Sequence, residues 1–413
     1  MCSNRSRTTS AIEYRMRLTV LLFAASLVAA WSLLDYMPQN LLNLDVTSKW
    51  DSEPAFSALE DYIVDDKFSL LKLHRGLMEI ESISGNEHKV ALFLSDYLKK
   101  AGLSVELQHV ERDRYNVYAY IGNQRNTTTV VSSHIDVVPP YIGYSVDGTK
   151  IRGRGACDDK GPLAAQVIAY LDLYYENKIK EGEVSLLFVV GEENTGVGMR
   201  TASEKLGVNW EYAIFGEPTE NKLGVGHKGI FVFDIEVFGR AAHSGYPHLG
   251  VSATEILIPI LHKIQNLELP ESELLGPSTV NVGKVEAGVA ANVIPAYAKA
   301  TIAIRVSSDL DEVVRLVHSV VDDVEHVAPV TGRTTDPQYL DYKVPGFESI
   351  ILAYNTDVPN LSLPLKKRFL YGPGTIHVAH SDDEHVENQD LLKSVDGYRR
   401  LVEYILSLEN ATE

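Results

Sequence analysis

Several short stretches of this chain end an apolar run on side chains that can bind a metal or move a proton. In "SSHIDVVPP", His134 and Asp136 lie two apart, so on an extended strand they project to one side. A metal-binding histidine commonly donates its second ring N–H to a carboxylate, although His-x-Asp pairs also occur with no such role. "GRGACDDKGP" surrounds Asp158 and Asp159 with Gly153, Gly155 and Gly161 just before a helix, where acidic residues also serve as favourable charges at the helix start. "SLLFVVGEENTG" places Glu192 and Glu193 side by side where an apolar strand stops, and "AIFGEP" repeats the arrangement with Glu217. Neighbours on an extended chain point in different directions, so one carboxylate can face a metal while the other faces the water held there. "GPGTIHVAHSDDEHV" adds His377, His380 and His385 in a polar loop. Histidines and carboxylates of this kind are the inventory for a two-zinc site with a bridging carboxylate and a free glutamate as general base.

Strands and helices must bring these stretches together. "LSVELQHV" and "RYNVYAYIG" alternate as strands, and "TTTVVSSHIDVV" and "EVSLLFVV" read as buried ones. Between them "GPLAAQVIAYLDLYYENK" is predicted helical, with Pro162 in its first turn. From about Asp65 to Lys100 the apolar spacing is helical, closing at Gly102. The alternation predicts an α/β domain with a mostly parallel central sheet, and ligands of such sheets bind at strand ends. After "FGEPTENKLGVGHKG" the texture changes. "IFVFDIEVFGR", a helix, the strands "STVNVGKVEAG" and "AYAKATIAIRVS" and a further helix predict an α+β insert with an antiparallel sheet. The chain is expected to re-enter the first domain through "FESIILAYNTDV" and to end in a helix. The domain reading is a signal or anchor over 1–34, a catalytic domain over 55–225 and 336–413, and a lid over 226–335.

The chain of 413 residues is 45% hydrophobic, enough for more than one core. A net charge of −18 argues against nucleic acid as a partner. The two cysteines, Cys2 and Cys157, provide neither a disulfide framework nor a thiolate zinc site. Arg5, Arg7, Arg15 and Arg17 precede "LTVLLFAASLVAAWSLL", the pattern of a secretory signal, or of an uncleaved anchor that is slightly short for a membrane span. Sequons at Asn126, Asn360 and Asn410 fit a secreted glycoprotein. His74, His109, His262, His318 and His326 have no ligand-like company, and Cys157 reads as a small packing residue.

From Phe68 onward the sequence resembles the co-catalytic zinc amidohydrolases and peptidases that include aminoacylase-1, acetylornithine deacetylase, succinyl-diaminopimelate desuccinylase and carnosinase-type dipeptidases. "SSHIDVVP", "GRGACDDKG", "GEEN", "GEPT", "GRAAHSGYPHLGVSA" and "AHSDDEHV" occur in the family's order and approximate spacing. The resemblance implies two zinc ions per chain, replaceable by cobalt. It assigns His134, Asp158, Glu193, Glu217 and His380 as ligands, with Asp158 bridging and followed by a cis peptide bond. Asp136 orients His134, and Glu192 is the base for the attacking water. His380 is chosen over His377 because the family's spacing runs from this histidine to a glutamate four positions on, here Glu384. The insert becomes a lid and dimerisation domain whose His243 stabilises the oxyanion, often from the partner subunit of a homodimer. The resemblance also implies that Asn292, Arg305 and Gly374 contact the substrate, with Arg305 on a free carboxylate. The implied activity is zinc-dependent hydrolysis of a peptide or amide bond beside a free carboxylate, as in a secreted carboxypeptidase or dipeptidase. The alternatives are an N-acyl amino acid deacylase resembling acetylornithine deacetylase and an inactive binding paralogue. Against the last, neither a ligand nor the base is missing.

Overall fold

The computed structural model describes residues 63–65 and 68–410. The expected signal or anchor over 1–34 and Cys2 lie outside the described residues. The central sheet has six strands in the order Lys367–Tyr371, Tyr212–Gly216, Thr129–His134, Val184–Val189, Arg114–Tyr120, Ser104–Glu111. The first four run parallel. The fifth runs antiparallel to the fourth, and the sixth antiparallel to the fifth, since a tight turn at Arg112 (φ +49°) joins these two as a hairpin. Thr129–His134 and Val184–Val189 are buried along their whole length, so both faces of the sheet need cover.

On one face lies the helix Lys160–Tyr175, apolar on nearly every side and buried from Lys160 through Leu171. It packs between Thr129–His134 and the long C-terminal helix Asn388–Asn410. On the other face Met199 and Ala202 of the Val197–Lys205 helix join Leu187, Val189, Phe215, Val358 and Leu370 in one apolar cluster. The helical spacing expected from Asp65 to Lys100 resolves into two helices, Leu70–Met78 and His88–Lys100. Between them Ile83 bridges to Val137, and Gly85 takes φ +104°. That pairing with the chain beyond His134 overrides the local helical period.

The insert is a separate four-stranded antiparallel sheet in the order Thr279–Ala287, Tyr297–Val306, Gly229–Phe238, Gly332–Thr335. Burial alternates along Gly229–Phe238, so Phe231, Phe233, Ile235 and Val237 meet the apolar stripes of two helices, Ala253–Gln265 and Leu310–Val321. Ser252 and Asp309 cap these helices by accepting from the Glu255 and Glu312 amides. The fourth strand, polar in sequence, was not expected. The expected re-entry segment is in place, with Leu352 and Val358 in the apolar cluster on the central sheet, but its strand does not join that sheet. Ser349–Leu352 pairs with Leu223–His227 in a small sheet of its own. The strand that rejoins the central sheet is Lys367–Tyr371, an edge strand whose basic first half hides its β character.

Candidate metal centre

The sheet sets out the site. His134 is the last residue of Thr129–His134, Glu192 and Glu193 follow Val184–Val189, and Glu217 follows Tyr212–Gly216. His380 lies in the loop beyond Lys367–Tyr371. Four neighbouring parallel strands therefore deliver the candidate residues at one edge. Asp158 comes from the loop before the Lys160–Tyr175 helix, and the Asp158–Asp159 peptide is cis, as expected.

These side chains converge. Donor atoms of His134, Asp158 and Glu193 all lie within 4.8 Å of one another. One oxygen of Asp158 faces His134 Nε2 at 3.1 Å, and the other faces His380 Nε2 at 3.2 Å. A single carboxylate is thus shared between two histidines, the disposition a bridging ligand needs. His380 Nε2 is also 3.0 Å from Glu193 Oε2. Glu192 and Glu217 line a small enclosed cavity with His134.

Asp136 meets His134 through its main chain and its carboxylate, and its carboxylate has further partners. His134 Nδ1 donates to the Asp136 main-chain carbonyl at 2.9 Å, while the carboxylate Oδ1 is 3.5 Å away. The Asp136 carboxylate also accepts from Ser84 Oγ (2.7 Å) and from the Glu192 and Glu193 amides (3.1 and 3.3 Å). It therefore fixes the backbone that carries both glutamates. Burial alone would push the Asp136 carboxyl up, but hydrogen bonds from His134, Ser84 and the Glu192 amide outweigh it and leave it below its ordinary value.

The electrostatics show what the cluster lacks. Burial, reinforced by neighbouring carboxylates and opposed by His134, pushes Glu192 and Glu217 well above the carboxylate range. Burial and Asp158 raise Glu193 to about 7. Burial opposes ionisation of Asp158 too, but its two histidines hold it below its usual value. Hydrogen bonds to Asp158 and Glu193 carry His380 up to about 10. Among the described residues, the ion-pair partners of Asp158 and Glu193 are these histidines, with no lysine or arginine. Buried carboxylates in excess of their counter-charges, converging with two imidazoles, fit divalent metal.

The remaining candidates stand apart from this cluster. His243 and Asn292 are exposed on the insert. His243 Nδ1 accepts from the Gly245 amide at 3.0 Å, and the His243 backbone bridges to Val293. Within one chain, His243 does not join the centre. Arg305 is half-buried on Tyr297–Val306, and burial lowers its pKa. Its charge is felt by His227 and Lys228, two further basic residues. Gly374 has φ +74°, and a Cβ there would meet Cys157 Cβ at 2.7 Å. Cys157 fills this space as a packing residue, its thiol pushed up by burial. Three contributors escaped the sequence reading. Ser84 and Asp357, which lines the cavity with Glu192, lie in runs with no motif-like spacing. Arg154, buried and paired with Glu384, lies in the glycine-rich stretch before Asp158, where only the aspartates drew attention.

Comparison with known proteins identifies the lineage. Residues 225–331 match the family model described as "Peptidase dimerisation domain". A Peptidase M20 domain-containing protein of Schizosaccharomyces pombe is 51% identical over 82% of this chain and 85% of its own length. A probable carboxypeptidase of Aspergillus flavus is 41% identical over 89% of this chain and 94% of its own length. Among solved structures, an M20 family metallo-carboxypeptidase from Sulfolobus solfataricus superposes with a TM-score of 0.66, at 17% identity, over 81% of this chain and 98% of that one. With its sheet, insert and metal-fitting cluster, the chain belongs to the M20 family of peptidases, hydrolases of peptide bonds.

Proposed function

We propose that the chain is a zinc-dependent carboxypeptidase that cleaves a peptide bond next to a free carboxylate. The carrying observation is the Asp158 carboxylate facing His134 with one oxygen and His380 with the other. His134, Asp158, Glu193, Glu217 and His380 would hold a pair of zinc ions. When bound, zinc supplies a Lewis acid for the scissile carbonyl and makes water a nucleophile at neutral pH. Glu192 takes the proton of the attacking water and passes it to the leaving amine. Asp136 keeps Glu192 and Glu193 in place through their amides.

Arg305 supports the choice of a free carboxylate. It is a half-buried cation with no carboxylate partner among the described residues, beside Lys228. A substrate carboxylate would relieve that local positive charge. His243, exposed on the insert, would reach an active site as the oxyanion donor from a second copy of the chain, with Asn292 beside it. Export of the enzyme rests on the basic and apolar N-terminal sequence.

The test is a panel of dipeptides, longer peptides and N-acyl amino acids, each with a free or amidated C-terminus. Cleavage of free-carboxylate peptides, abolished by amidation, is the expected result. Cleavage of N-acyl amino acids alone makes the chain a deacylase. A Glu192→Ala variant with full activity removes Glu192 from the mechanism.

A further inference from the structure

Two loops distant in sequence meet beneath the metal centre. One, 153–159, carries Asp158; the other, 372–384, carries His380. His134 and Glu217 sit on or directly after sheet strands. His380, by contrast, lies in a loop at φ +63° with its side chain about half exposed. Something other than the sheet must hold this histidine.

The holding groups are Arg154 and Glu384, whose side chains are 1% and 0% exposed. Glu384 Oε2 accepts from Arg154 Nη1 at 2.6 Å. Glu384 Oε1 accepts from the Gly155 amide at 2.8 Å and the Asp158 amide at 3.4 Å. Arg154 reaches back into the other loop, donating to the carbonyls of Ser381 (3.1 Å) and His380 (3.4 Å). Each group belongs to one loop and bonds to the backbone of the other. The two backbones they grip are those of the bridging-aspartate candidate and of the exposed histidine. A buried ion pair is weak evidence for stability as such, because desolvation offsets much of its attraction. What this pair supplies is registration between the loops.

We propose that Glu384, held by Arg154, is a positioning residue that locks the His380 loop onto the Asp158 loop and so sets the affinity of the metal position that includes His380. The inference rests on the zinc reading above. Its consequence is asymmetric. The position built on His134 and Glu217 has the sheet behind it and meets the lock only through Asp158, whereas the position built on His380 and Glu193 meets it through both Asp158 and His380. Loss of fold stability alone would weaken both positions alike.

The experiment is a zinc titration of the metal-free full chain against a competing chelator, with cobalt(II) absorption as a second readout of the ligand geometry. Wild type is compared with Glu384→Gln and with the double variant Arg154→Met, Glu384→Gln. The double variant leaves no lone buried charge and carries the test if the single variant does not fold. Expected are two equivalents of zinc for wild type. In the variants the first equivalent is weakened the less, and the second by about 10- to 100-fold, the range for lost supporting hydrogen bonds. Equal weakening of both equivalents, or none, overturns the proposal. Wild-type protein that binds no zinc overturns the functional reading and this inference with it.

Discussion

Replacing Asp136 with asparagine is the most informative single change near the centre. The carboxylate is fully buried and accepts from the Glu192 amide on Oδ1, and from Ser84 Oγ and the Glu193 amide on Oδ2. Asparagine offers one oxygen and an NH₂ group. If its oxygen faces Ser84 and Glu193, the Glu192 N–H points at a donor; flipped, the Glu193 N–H does. Ser84 can rotate its hydroxyl, but neither amide can turn. One buried N–H is therefore left without an acceptor in either orientation, which costs about 1–3 kcal/mol of stability. Misplacing the 192–193 backbone moves the base and a metal ligand together, so zinc affinity should fall about 10- to 100-fold. His134 should keep its orientation, because its Nδ1 donates to the Asp136 main-chain carbonyl, which asparagine retains. The assays are urea denaturation of metal-free protein and zinc competition with a chelator. Unchanged stability together with zinc affinity within about twofold of wild type would refute the role assigned to the Asp136 carboxylate, since supporting partners ordinarily cost more than that.

Arg305→Ala should raise KM for free-carboxylate substrates by about 10- to 100-fold, the value of a charge-assisted hydrogen bond or two, while leaving amidated substrates no worse than before; an equal effect on both sets removes Arg305 from substrate recognition. His74 and His227 predict acid lability. Burial lowers their pKa values to about 3 and about 4, although each ring meets a backbone carbonyl. Both lie below the unfolded value, so the unfolded chain binds more protons and stability falls as pH drops from about 6.5 toward 4, by about 1.4 kcal/mol per pH unit for each histidine. Urea midpoints across that range should fall less steeply for His74→Gln than for wild type, and parallel slopes would contradict the assignment. Expression through a secretory pathway should place a glycan on Asn126 and none on Asn360. Asn126 is exposed, whereas Asn360 Nδ2 donates to buried Asp357 at 2.8 Å and lies against Gly196. Peptide mapping that finds Asn360 occupied would overturn this.

Much of the fold was legible because strong periodicity coincided with burial. Gly229–Phe238 alternates in sequence as it does in burial, and the all-apolar Lys160–Tyr175 helix is buried nearly all round. Elements defined by tertiary pairing were harder to read. Lys367–Tyr371 is half basic, and the break between Met78 and His88 exists because Ile83 pairs with Val137. At the site, the resemblance singled out His134, Asp158, Glu193 and His380 as ligand candidates, and the structure brings them together. What the sequence concealed is support by the backbone. No spacing announces that the Asp136 carboxylate also serves two amides, or that Arg154 grips carbonyls more than 200 residues away. His243 was legible as a motif, but within one chain it stands apart from the centre, exposed on the insert.

Metal content measured alongside peptidase activity tests the central claim most directly. Purified full-length protein should carry two zinc ions per chain, lose cleavage of free-carboxylate peptides on exhaustive chelation, and regain it on adding zinc in proportion to the metal rebound. Full activity in protein shown by elemental analysis to be metal-free would contradict the account.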